Sequence, residues 1–260
     1  MRRTHVFVIV LCFLSAPAVR AEDAAPLTTL LGAGVWSRPA YDGADGSQAT
    51  VLIPVVRHYG RTWFARTTYG VLEGGARAQL ASGLTVGAQL AYEGGRDKAQ
   101  SSFLAAHNLP DLPYSVSWGA HLEYEKNIGP MPVIALLRYR QDVDGARGAQ
   151  ADLRLTAGVF SAGGFSAGVF YQSTWADAKA TGYHYGITPQ QSVSSGLAAF
   201  DPQGGQLFNA VGVLWSYELT PKWMLLGSVE SRRLSGAAQS SPLAQLSTSR
   251  YASAGLAYQF

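Results

Sequence analysis

The feature that most constrains this chain is a two-residue alternation of side-chain character that recurs in about twelve separate runs. From Leu84 to Glu93, the residues Leu84, Val86, Ala88, Leu90 and Tyr92 alternate with Thr85, Gly87, Gln89, Ala91 and Glu93. Successive side chains of a strand point to opposite faces, so one face here is apolar and the other polar or small. Tyr114 to Glu125 repeats the pattern, with Val116, Trp118 and Leu122 on one face and His121, Glu123 and Glu125 on the other. Similar runs occupy Thr29 to Ser37, Thr50 to His58, Thr62 to Tyr69, Glu73 to Leu80, Val133 to Asp142 and Gln150 to Phe160. Four more follow, at Phe165 to Trp175, Leu207 to Leu219, Trp223 to Arg232 and Arg250 to Phe260. Most reach the roughly 9–11 residues that a tilted strand needs to cross a bilayer.

The connections fall into two alternating classes. Tyr59-Gly60, Ala81-Ser82-Gly83, Asn127 to Pro130, Ser161 to Gly164 and Leu219 to Lys222 are short and rich in turn residues. Between them lie mostly longer polar segments: Arg38 to Ala49, Gly94 to Pro113, Val143 to Ala149, Ala176 to Gln206 and Arg233 to Ser249. Only the connection at Gly70 is brief in this second class. Short periplasmic turns opposite longer outer loops are the rule for outer-membrane barrels, and an even strand count places both termini in the periplasm.

Composition agrees with a chain that meets lipid through strands. Apolar residues make up 47% and charged residues only 14%, yet no stretch after the first twenty residues approaches the length of a helical span. A closed barrel satisfies every backbone N–H and C=O without water. An exported soluble β-sandwich or lipocalin-like barrel would show the same periodicity. The small and charged second face would make a poor soluble core, however, and the last run puts Leu256, Tyr258 and Phe260 on one face with an aromatic at the end. The expectation is an all-β, transmembrane antiparallel β-barrel of about 12 strands in the outer membrane of a Gram-negative bacterium. Outer-membrane lipid would surround it, and Phe260 would be the assembly signal read by the barrel-assembly machinery.

The opening residues read as a cleavable signal peptide over 1–21, with the barrel over 22–260. Arg2 and Arg3 precede the short apolar core Val6 to Leu14, and Val19-Arg20-Ala21 offers a cleavage site after Ala21. Cys12, the single cysteine, leaves with the leader, so no disulfide or thiolate metal site is expected. Arg2, Arg3 and Arg20 leave as well and no acid does, which removes the formal net charge of +3. A nucleic-acid footprint needs a surplus of Lys and Arg, so no nucleic-acid partner is expected.

No catalytic or cofactor motif is present. His58, His107, His121 and His184 lie in no close metal-ligand pattern, and Walker and GxGxxG motifs are missing. His184, Ser192 and Asp201 are the right types for a triad, but nothing in their spacing requires one. The reading is a non-enzyme with no catalytic residues, no cofactor and no metal. The more telling constellation is a polar network on the lumen face: His121, Glu123, Glu125, Arg138, Arg140, Asp142, Asp152 and Arg154. If Asp142 faces Gln150 across the hairpin, Arg140 lies opposite Asp152 as a cross-strand ion pair. Such a network is either an internal salt-bridge plug or the lining of a polar path. The plug is favoured, because about twelve strands enclose far less space than the 16–18 of open porins.

Several segments resemble the MipA/OmpV family of outer-membrane proteins. They are Arg138 to Asp152, Thr174 to Asp177, Tyr185 to Ser192, Ser195 to Asp201, the opening Gly32-Ala-Gly-Val-Trp36 with Pro39-Ala-Tyr-Asp-Gly43, and Arg232 to Pro242. The resemblance implies a non-enzymatic barrel that acts as a scaffold between a murein lytic transglycosylase and a bifunctional penicillin-binding protein, linking wall cleavage to peptidoglycan synthesis. It transfers no catalytic residue. The alternative, from a different class, is a small-solute channel or a ligand-binding or adhesin barrel.

Overall fold

The computed structural model describes residues 29 to 260 apart from Ser47 and Tyr69, so the expected leader lies outside the described residues. Twelve antiparallel strands close into one barrel. They are β1 (Thr29–Pro39), β2 (Gln48–Tyr59), β3 (Trp63–Thr68), β4 (Val71–Ala81), β5 (Leu84–Glu93) and β6 (Ser115–Ile128), followed by β7 (Met131–Asp142), β8 (Ala149–Ala162), β9 (Phe165–Ala176), β10 (Gly205–Thr220), β11 (Trp223–Leu234) and β12 (Thr248–Gln259). Each pairs with its neighbours in sequence, and β12 returns to β1 with Gly34 opposite Gly255. The twelve alternating runs correspond one to one with these strands.

Side chains outside the wall are the apolar set. Leu122, Leu155, Val211 and Val213 are 40–55% exposed, and Leu153 shares their face. Together with the many other exposed large apolar side chains they make an apolar outer face far larger than soluble surfaces carry, which suits a wall that faces lipid. Exposed aromatics form two belts. Tyr92, Tyr114, Trp118, Tyr139 and Trp175 lie at the long-loop end, and Phe160, Phe165, Tyr217, Trp223 and Phe260 at the short-turn end. No helix among the described residues is long and apolar enough to cross a membrane, so crossing belongs to the strands.

Inside, large polar side chains sit over small residues. Gly87 on β5 faces His121 on β6, and the imidazole fills the space a Cβ would take, 2.3 Å from its Cε1. Phe170 on β9 lies over Gly212 on β10 in the same way. Alternating small and large residues lets a narrow barrel fill without strain.

The long connections are folded rather than loose. They carry α1 (Ser102–Ala106), α2 (Ala178–Tyr185), α3 (Pro189–Ser195) and α4 (Gly236–Gln239). Reading the 176–206 connection as a plain polar loop therefore missed two helices. Their starts are written in the sequence: Asp177 caps α2, while Thr188 and Gln191 form a reciprocal capping box around Pro189 on α3. Tyr41, Leu104, Leu109, Ile187 and Leu243 from four connections form a small apolar core of their own. It roofs the barrel at the long-loop end.

Candidate functional site

The charged residues of the wall converge on one buried layer beneath this roof. Glu73 on β4 is its centre: one carboxylate oxygen takes the Nε–H of Arg66 on β3, and the other accepts from Arg138 on β7 at 3.0 Å. Gln89 on β5 adds a third donor at 3.1 Å, and its own carbonyl meets His121 Nδ1. Arg66 reaches Glu123 on β6 at 2.9 Å. Arg138 also holds Asp152 on β8 at 2.9 Å, and Asp152 accepts from the Thr174 hydroxyl on β9 at 2.7 Å. Arg154 donates to Gln172 at 3.1 Å and lies 3.7 Å over the Phe170 ring. Glu73, Asp152 and Arg138 have side chains no more than 4% exposed. Charges this well buried persist only when paired and hydrogen-bonded, which each of these is.

The expected register is corrected by two residues. Arg138, not Arg140, stands opposite Asp152, while Arg140 faces Gln150. The cause lies in the β7–β8 connection, where Asp142 turns its carboxylate to the Asp144 N–H at 2.7 Å and the ladder stops at Gln141 and Ala149. A shift of two keeps every side chain on its face. Arg140 still touches Asp152, at 3.6 Å, and its nearer acid is Glu93 at 3.2 Å. Asp142 therefore ends β7, paired with Ser117 on β6 but beyond the ladder to β8, with Arg147 4.0 Å away. Glu125 does not join the layer, being exposed at the short-turn end. Arg66, Glu73, Gln89, Glu93, Gln172 and Thr174 were missed as members, although each holds a lumen-facing position in an alternating run.

Other candidates separate. Ser192 spends its hydroxyl on the Leu197 carbonyl at 2.7 Å, and no hydrogen bond joins His184, Ser192 and Asp201 among the described residues. No group of three or more His, Cys, Asp or Glu that could hold a metal occurs among the described residues. Phe260 is 72% exposed on the lipid side, its ring 4.9 Å from that of Tyr258, and its N–H binds the Thr29 carbonyl at 3.0 Å across the closing seam.

Between layer and roof lies a cavity of about 450 Å³. Arg138, Arg140 and Asp152 contribute its floor, and Tyr41, Arg96 and His184 its upper wall. Burial pushes the Tyr41 phenol up to about 12, against the pull of Arg96, and lowers the His184 imidazole below its usual value, against the pull of Glu93.

A comparison with curated protein sequences returns no match. Among solved structures, an outer membrane channel from Pseudomonas putida F1 aligns with 94% of this chain and all of its own, at TM-score 0.53 and 12% identity. An anion-selective porin from Comamonas acidovorans aligns with 90% of this chain and 98% of its own, at TM-score 0.42 and 9% identity. The first likeness establishes the fold class alone, a closed antiparallel β-barrel. The family described as MltA-interacting protein MipA matches residues 31–260, nearly every residue of the barrel just described, and the chain belongs to that family.

Proposed function

We propose that this protein is a non-enzymatic outer-membrane scaffold whose short-turn face binds a murein lytic transglycosylase and, through it or beside it, a bifunctional penicillin-binding protein. The observation that carries the reading is the close mutual pairing of the ionic layer, whose central side chains are no more than 4% exposed. Side chains lining a permeation path are hydrated, whereas Glu73, Arg138 and Asp152 are sealed against one another. A filled barrel is a rigid mount. The family description, which names interaction with MltA, supplies the kind of partner.

By the usual orientation of such barrels, the periplasmic face carries the turns at Gly60, Gly83, Gly129, Gly163 and Lys222. Arg61, Lys126 and Lys222 are exposed there and offer cationic contacts to a soluble partner.

The test is capture of purified transglycosylase by the detergent-solubilised barrel. Wild-type barrel should retain the enzyme, and the triple variant Arg61→Glu, Lys126→Glu, Lys222→Glu should lose at least tenfold in affinity. Capture unchanged in the triple variant would move the contact off this face. No capture at all, together with steady single-channel current in planar bilayers, would replace the scaffold with a channel.

A further inference from the structure

The closed barrel has one short ladder, between β2 and β3. β2 pairs with β1 along its whole length, from Gln48 to His58. On its other edge it pairs with β3 only through Arg57, His58 and Tyr59. β3 has six residues and ends at Thr68, and among the described residues no ladder pair joins it to β2 above Arg57. Pro54 lies within this stretch and removes one N–H from it, as edge positions permit. The cavity reaches this gap. It is lined both by inward-facing Val51 and Ile53 and by outward-facing Leu52 and Leu72. Leu52 is 83% exposed on the lipid side. The cavity thus runs along the edge of β2 that lacks ladder pairs with β3.

The inner end of this passage is cationic. Arg232 is neutralised by Asp42 and Glu230, and Arg138 and Arg140 by Glu73, Asp152 and Glu93. Arg38 and Arg96 also line the cavity, and neither has a carboxylate within 4.0 Å among the described residues. Each keeps a buried Nε–H with no acceptor. Arg96 is only 9% exposed, held by the His184 carbonyl at 3.1 Å and by the Tyr41 ring. Arg38 lies over Trp36, whose ring packs on Gly70 at the edge of the gap. Two guanidiniums with unspent Nε–H donors thus line the cavity that reaches this apolar edge.

We infer that this passage is a binding site for a single-chain anionic amphiphile, its head held by Arg38 and Arg96 and its acyl chain leaving between β2 and β3 past Leu52 and Leu72. A guanidinium matches a carboxylate or phosphate head, and Arg38 and Arg96 line the same cavity. The chain completes the wall where strand pairing stops. Carboxylate and phosphate heads share this chemistry, and the ligand arms below tell them apart. The site is independent of the periplasmic face and stands or falls separately from the scaffold reading.

The experiment is native mass spectrometry of the full barrel in maltoside micelles with added palmitate, lysophosphatidate, butyrate or inorganic phosphate. One palmitate or lysophosphatidate per barrel is expected, the tighter of the two identifying the head. Arg38→Gln and Arg96→Gln should each lower occupancy, and the double variant at least tenfold. Leu52→Glu, at an exposed position with no packing role inside, should lower it comparably by repelling the anion at the exit. Heat-modifiable mobility on gels reports that each variant is folded. No adduct in wild type, or wild-type occupancy in the folded double variant, overturns the site. Butyrate or phosphate binding as tightly as palmitate overturns the acyl path.

Discussion

Glu73 on β4 and Arg138 on β7, three strands apart around the wall, meet at 3.0 Å with almost no solvent on either side chain. Neither is near the other in sequence, so the bond reports closure of the barrel rather than any single hairpin. Glu73→Gln would leave Arg66 and Arg138 sharing a neutral amide where a carboxylate had balanced them. The expected cost is about 3–5 kcal/mol, as for breaking a buried pair. Folding titrations in lipid vesicles measure it. Combining Glu73→Gln with Arg138→Met should recover part of the loss, and strictly additive effects would mean the two residues are not coupled.

The lipid face gives a second expectation. Leu155 sits near the middle of β8 and points outward. Leu155→Arg should destabilise the barrel by about 2–4 kcal/mol, the range for a cation at the bilayer midplane. The same vesicle titration decides it, and unchanged stability would place that residue away from hydrocarbon.

Steric fit inside the wall gives a third. A Cβ on Gly87 would stand 2.3 Å from His121 Cε1, so Gly87→Val must expel the imidazole from Gln89. Overpacking of this kind costs about 1–3 kcal/mol. Adding His121→Ala should restore much of the loss, a compensation readable in the same unfolding midpoints.

Acid should loosen the roof through His184 on α2. Its imidazole is held below the ordinary value mainly by burial, so the unfolded segment binds the proton more readily. The stabilisation is complete above the usual histidine value near 6.5 and declines as pH falls below it, by at most about 1.4 kcal/mol per pH unit. Hydrogen exchange of 178–185 should therefore speed up between pH 7.5 and pH 5. His184→Gln, which cannot take the charge, should flatten that dependence.

Phe260 should matter more for assembly than for the finished barrel. Its ring touches Tyr258 and is otherwise exposed. Phe260→Ala should lower the amount of heat-modifiable protein reaching the membrane, while the unfolding free energy of the purified barrel changes by less than about 1 kcal/mol. Equal membrane levels would remove the assembly role.

The wall was legible because two-residue periodicity is imposed by lipid on one side and a crowded lumen on the other. Each strand carried that signal locally, from Leu84 to Tyr92 as much as from Arg250 to Phe260. What alternation cannot encode is register. Arg138 and Arg140 occupy equivalent faces, and only the turn chemistry of Asp142 and Asp144 chooses which meets Asp152. Glu73 was harder still, since its partners come from β3, β5 and β7 and pair only once the ring is shut. The short β2–β3 ladder left one trace, Pro54 inside an otherwise regular run, and the roof left two, the helix caps at Asp177 and Thr188.

The roof has its own apolar core, built from Tyr41, Leu104, Leu109, Ile187 and Leu243 in connections that never enter lipid. The molecule is thus held together by two different solvents: bilayer excludes the wall's backbone from water, while bulk water drives the roof shut. Urea unfolds the roof at lower concentrations than the wall. The cap should melt as a separate unit at denaturant concentrations that leave all twelve strands in place, so the chamber beneath it is governed by an ordinary soluble miniature domain riding on a membrane protein.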